Sequence, residues 1–226
     1  MTTEILDEVR DLKTQAKNRR DDKLYKEGTT IANRAIKSLE SSFESAVKES
    51  WRTELASELA DCYGLIGGIQ RRWGLSLDDP ETAEKYKEHL QMSIDAYDKG
   101  HHFEQEDNYG VVNSYNLVNR LVGRILLTPD TDIKEEMKSA RAIISDQLKQ
   151  KRHGDIWALA DKSLLQLLLG ETEHNAAWTE FLDQSPPYYA LESLLDTLEP
   201  LAACNFPIKT ELEASIDLLE DELEKL

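Results

Sequence analysis

Basic residues are scarce in this chain: 27 Lys and Arg stand against 44 Asp and Glu, a formal net charge of −17. A field of that sign repels polyanions, so neither nucleic acid nor an anionic membrane is an expected partner. Long apolar runs are missing as well. No stretch approaches the roughly eighteen residues that a membrane-spanning helix needs. Met1 to Glu8 lacks a basic segment leading into an apolar one, so export is not expected and a cytoplasmic location is. Cysteine is limited to Cys62 and Cys204, far apart and without a neighbouring His or second Cys. Both read as buried free thiols in a reducing compartment, not as a disulfide or a nucleophile. Ten glycines and six prolines leave few breaks. Runs that alternate apolar and polar residues are nearly absent, so no sheet is expected.

What remains is helical periodicity. The pattern predicts helices at about 3–19, 22–47, 50–73, 80–99, 109–127, 131–150, 154–169, 172–183, 187–203 and 207–225. Pro80 within Asp79-Pro80-Glu81 suits a first helical position, and Thr131-Asp132 precedes a run with Glu135 and Glu136 in its first turn. Gly74, Gly100 and Gly170 fall where helices should stop. The fold class is therefore all-α, about ten helices in a single domain over residues 1–226. Leu212, Ile216, Leu219 and Leu223 share one stripe of the final, acidic segment, which suits residues 207–226 to capping the array or docking a partner.

Paired helices in series invite a search for repeats. Tyr63, Ile66, Gly67 and Gln70 occupy the four signature positions of a tetratricopeptide first helix, with Gly74 as the turn and Ser93 and Tyr97 on a late second helix. Around Gly170 a second unit places Leu159, Ser163 and Gln166 before the turn, and Asn175, Ala176, Leu182 and Pro187 after it. Small residues such as Gly67 and Ser163 let the helices of a hairpin approach closely. The expected architecture is a tetratricopeptide-like solenoid of helical hairpins with a concave binding face.

Several segments carry a resemblance: Gly67-Gly68-Ile69-Gln70-Arg71-Arg72, Ala96-Tyr97-Asp98-Lys99-Gly100, Tyr109-Gly110-Val111-Val112-Asn113, and Asp155 through Asp161 with Leu168-Leu169-Gly170-Glu171. Over about residues 25–200 the chain resembles the tetratricopeptide-like TRAF-binding region of apoptosis-signal-regulating kinases. It is more similar still to stand-alone bacterial relatives of that region. The resemblance implies an all-helical sensor or adaptor in stress or conflict signalling, with some relatives suspected of recognising nucleotide-derived ligands. The chain has no kinase domain, so its output would pass to an effector or signalling partner. It also lacks the proline that usually separates Tyr from Gly in the Tyr-rich motif, here Tyr109-Gly110.

The candidate ligand-binding residues lie in the most polar segment. From Asn108 to Arg120 the chain packs four Asn, two Tyr and an Arg into thirteen residues. Asn113, Asn116 and Arg120 fall on one helical stripe by spacing, with Asn119 beside them. Asn is a poor interior helix residue, so these amides either present hydrogen bonds to a ligand or tie adjacent helices together. Arg71 and Arg72 end a helix, where they satisfy the dipole or bind an anion through the guanidinium fork. Arg120 and Arg124 are one turn apart. With Lys99, His101 and His102 they would make a basic pocket for an anionic small molecule or an acidic peptide, walled by Tyr97 and Tyr109. His101-His102, adjacent and without His-Glu-x-x-His spacing, do not form a metal motif. No nucleophile elbow, Walker loop or dinucleotide fingerprint is present, so neither enzymatic activity nor a cofactor is expected. A nucleotide hydrolase would need a metal or base that the sequence does not supply. The alternative is a structural module that binds another protein through apolar and acidic surfaces. Trp157 is expected to anchor hairpins from the core.

Overall fold

A computed structural model describes residues 2–77, 82–204 and 206–226. Among these residues all regular structure is helical, as the periodicity requires. The helices are α1 (Thr2–Asp21), α2 (Tyr25–Ser45), α3 (Glu49–Leu75), α4 (Ala83–Phe103), α5 (Glu106–Tyr109), α6 (Tyr115–Leu127), α7 (Lys134–Gln150), α8 (Ile156–Leu168), α9 (His174–Leu182), α10 (Tyr188–Ala203) and α11 (Lys209–Leu223). The start signal at Asp79-Pro80-Glu81 lies outside the described residues. The chain divides into two compact units, Met1–Gly123 and Arg124–Leu226.

In the first unit α1 packs on α2, α2 on α3, and α3 most extensively on α4. Leu6, Val9, Leu12 and Ala16 recur at helical spacing along α1 and are buried against Ala32, Ala35, Ile36 and Leu39 of α2. Leu55, Leu59, Cys62 and Ile69 carry the same core along α3. Burial pushes the Cys62 thiol up to about 12, so it stays protonated and inert.

In the second unit α8 packs on both α7 and α9, and α10 packs on α11. Trp178 and Phe181 of α9 are fully buried, edge to face at 6.1 Å. Leu212 and Leu219 of α11 are also fully buried, so the apolar stripe of the last helix faces the protein.

Helix ends follow local chemistry. Asp155 caps α8, its Oδ1 accepting from the amides of Trp157 (2.9 Å) and Ala158 (3.1 Å). Gly170 stops the same helix with φ +68°, its amide bonding Leu167 and that of Glu171 reaching back to Gln166. Two expectations fail. The helix expected from 109 begins only at Tyr115, because Gly110 (φ +70°) ends the one-turn α5 in a left-handed conformation. Gly100 does not stop α4, which runs on to Phe103; its missing side chain serves helix contact instead.

Candidate functional site

The polar segment is built around a glycine-lined face of α3. A Cβ on Gly67 would lie 2.7 Å from the Tyr97 ring of α4, and one on Gly64 would lie 2.9 Å from Asn116 and Tyr115 of α6. From the other side, a Cβ on Gly100 would meet the Asn116 carboxamide at 2.5 Å. Asn116 is thus clasped between α3 and α4, where only glycine leaves room for it. Ser93 adds a direct tie from α4, its hydroxyl donating to the Gly67 carbonyl at 2.7 Å.

The amide donors of Asn116 and Asn119 have partners within the protein. Asn116 Nδ2 donates to the Ala60 carbonyl (3.0 Å) and to Glu104 Oε1 (2.7 Å). Its backbone amide donates to both Glu104 oxygens at 3.1 Å. The Glu104 side chain is fully buried and sits at the first turn of α6, where a carboxylate is favoured by the exposed amides and the helix dipole. Asn119 Nδ2 donates to the Tyr115 carbonyl at 2.9 Å, and its Oδ1 accepts from Arg71 Nη1 at 2.8 Å. Arg71 is 6 % exposed. Tyr97 is fully buried with its ring edge-on to Tyr115 at 6.0 Å, and burial raises its pKa. Arg71, Tyr97, Asn116 and Asn119 therefore do come together.

The remaining candidates are engaged elsewhere. Asn113 is not on the helical stripe. It precedes α6, and its Oδ1 accepts from the amides of Ser114 (2.7 Å) and Tyr115 (3.3 Å), so it acts as a local cap. Arg72 lies 3.6 Å from Asp21, Arg120 Nη1 bonds Asp98 at 2.8 Å, and Arg124 of the second unit bonds Glu136 at 2.6 Å. Lys99 stands over the Tyr63 ring at 5.8 Å. Tyr109 joins Phe43, Phe103 and His102 in an aromatic cluster, its hydroxyl 3.0 Å from His102 Nε2. His101 turns instead toward Glu104, at 3.9 Å.

A second polar tie runs along α3. Gln70 donates to Thr29 at 3.0 Å and meets His89 Nδ1 at 2.8 Å, while the His89 ring stacks on Trp73 at 4.1 Å. Desolvation lowers the His89 pKa, so the ring is neutral near pH 7.

Trp157 contradicts its expected role as a buried anchor. It is 38 % exposed at the start of α8, beside Tyr189 (60 % exposed), with ring centroids 6.2 Å apart. Tyr188, at the start of α10, is 53 % exposed. The anchoring tryptophan of this unit is Trp178. Sequence reasoning also missed Glu104 as the carboxylate that organises α6. Its only sequence signal is an acidic residue twelve positions before Asn116, which nothing distinguishes from the many other acids. Comparison with protein-family models, with curated proteins and with solved structures finds no match to the chain.

Proposed function

We propose that the chain is a non-enzymatic, tetratricopeptide-like adaptor that works by binding another protein, a signalling or effector partner in stress or conflict responses. The observation that carries this reading is the contiguous exposure of Trp157, Tyr188 and Tyr189. Large aromatic side chains held at a surface, each with an apolar body and few rotatable bonds, are what protein interfaces use as anchors. The packing of helix on chain neighbour within each unit supports a repeat scaffold. A repeat scaffold supplies rigid surface, not reactive groups.

A second reading, an anionic small molecule held by Arg71, Asn119 and the tyrosines, is favoured by their convergence across α3, α4 and α6. It is the weaker one, because Asn116 and Asn119 already commit their amide donors to the protein.

Two measurements on the purified protein separate the readings. Selection from a random-peptide display library should enrich peptides whose retention is lost in a Trp157→Ser, Tyr189→Ser variant. A panel of nucleotides, dinucleotides and cyclic nucleotides should leave the melting temperature unchanged. A library that enriches nothing, together with a nucleotide that stabilises the protein by about 2.7 kcal/mol at a hundredfold excess over Kd, would overturn the adaptor reading. Loss of that stabilisation in Arg71→Lys would then place the ligand at the buried arginine.

A further inference from the structure

The surface around Trp157 has a charge character that its aromatic side chains alone do not reveal. Between Gly154 and Leu226 the chain carries sixteen Asp and Glu against three lysines, Lys162, Lys209 and Lys225, and no arginine. Most of the molecule's net negative charge, −13 of −17, therefore lies in its last third. α10 holds no Lys, Arg or His along its length. Its exposed residues Tyr189, Glu192, Asp196 and Glu199 follow helical spacing on one face, so a row of carboxylates extends directly from the aromatic pair. Glu192 also accepts from the Tyr188 hydroxyl, which raises the Tyr188 pKa and ties the second tyrosine to the same row. On α8 the only basic side chain, Lys162, is bound to Glu180 at 2.8 Å.

Resting on the adaptor reading, we propose that this face of α8 and α10 docks an arginine-rich segment of the partner protein. A guanidinium stacks on the faces of Trp and Tyr, and its planar fork matches a carboxylate. Aromatic rings leading into a line of acids provide both halves of that recognition, in the order an extended basic peptide would meet them. The same charge argues against the other occupants. A second copy would bring a like-charged row, nucleic acid is repelled, and a purely apolar helix would leave the carboxylates to be desolvated without partners.

The probe is a short labelled peptide of alternating Arg and Gly, titrated by fluorescence anisotropy against the whole protein at two salt concentrations. Saturable binding is expected, weakening with salt. Trp157→Ala with Tyr189→Ala should weaken it about tenfold, and Glu192→Gln with Glu199→Gln by a similar factor. All four positions are exposed, and far-ultraviolet circular dichroism with a melting curve verifies that each variant is folded. A peptide with Lys in place of Arg should bind more weakly, because the ammonium lacks the planar stacking face.

Unchanged affinity in the aromatic variant would reduce the interaction to diffuse attraction by an acidic protein and overturn the proposal. So would failure of the Arg-Gly peptide to bind. If the display library instead enriches acidic or apolar peptides that need Trp157, the adaptor reading stands and the basic partner does not. A library that enriches nothing, together with a nucleotide that stabilises the protein, removes both.

Discussion

The α3–α4–α6 interface of the first unit and the α8–α10 surface of the second invert the usual placement of residue types. In the first, an Arg, a Glu and two Asn are buried. In the second, a Trp and two Tyr are exposed. The buried polar groups are tolerated because they meet one another: Glu104 receives the amides of Asn116, and Asn119 links Arg71 to Tyr115. Such a network is costly if any member is lost, since a buried group without its partner keeps its desolvation penalty. The exposed aromatics have no comparable network. The polar groups buried in the first unit bond one another, whereas the aromatics of the second stand at the surface.

That contrast is testable by substitution, the largest effect coming from the glycine face. Gly67→Leu drives side-chain atoms into the fully buried Tyr97 ring and should destabilise the fold by about 3 kcal/mol. A melting temperature unchanged from wild type would mean that α3 and α4 separate freely, and the interface would lose its rigid character. Next in size, Asn116→Ala removes two side-chain donor contacts, one of them to the buried Glu104, and should cost about 2 kcal/mol in urea unfolding. A loss below about 0.5 kcal/mol would indicate that water replaces the amide and that the cluster is open to solvent. The smallest effect should come from Trp157→Ser. At an exposed position whose backbone amide, and not its side chain, takes part in the Asp155 cap, a change within about 0.5 kcal/mol is expected by the same assay. A loss comparable to that at Asn116 would return Trp157 to the core and weaken its assignment as a contact residue.

Much of the fold was legible in the chain. The 3.6-residue periodicity of Leu6, Val9, Leu12 and Ala16, or of Leu212 and Leu219, requires a buried stripe whatever the partner. Gly170 read correctly as a stop signal because capping depends on a few neighbouring amides and carbonyls. Gly100 read wrongly. A glycine inside a helix signals either an end or a close approach, and here Asn116, sixteen residues further on, fills the space. Asn113 read wrongly for a related reason: the left-handed turn at Gly110 interrupts the helix that its spacing assumed.

The candidate site was legible only as a list of residue types. Spacing placed Asn116 and Arg120 on one helix, which they share, but it could not reveal that Arg120 lies against Asp98. Nor could it distinguish Trp157 from Trp178. Both begin or occupy apolar helices, and only packing decides that one is 38 % exposed and the other fully enclosed.

By itself the sequence determined an all-helical chain, the apolar stripe of each major helix, several of the ends, and the concentration of net negative charge toward its last third. These are properties of residues a few positions apart, or of composition. The tertiary structure alone decided which polar groups are buried together and which aromatics remain outside. Glu104 and Asn116, Arg71 and Asn119, and Trp157 and Tyr189 are separated by twelve to forty-eight residues. Their meeting depends on how whole helices pack, a long-range outcome that no local periodicity encodes.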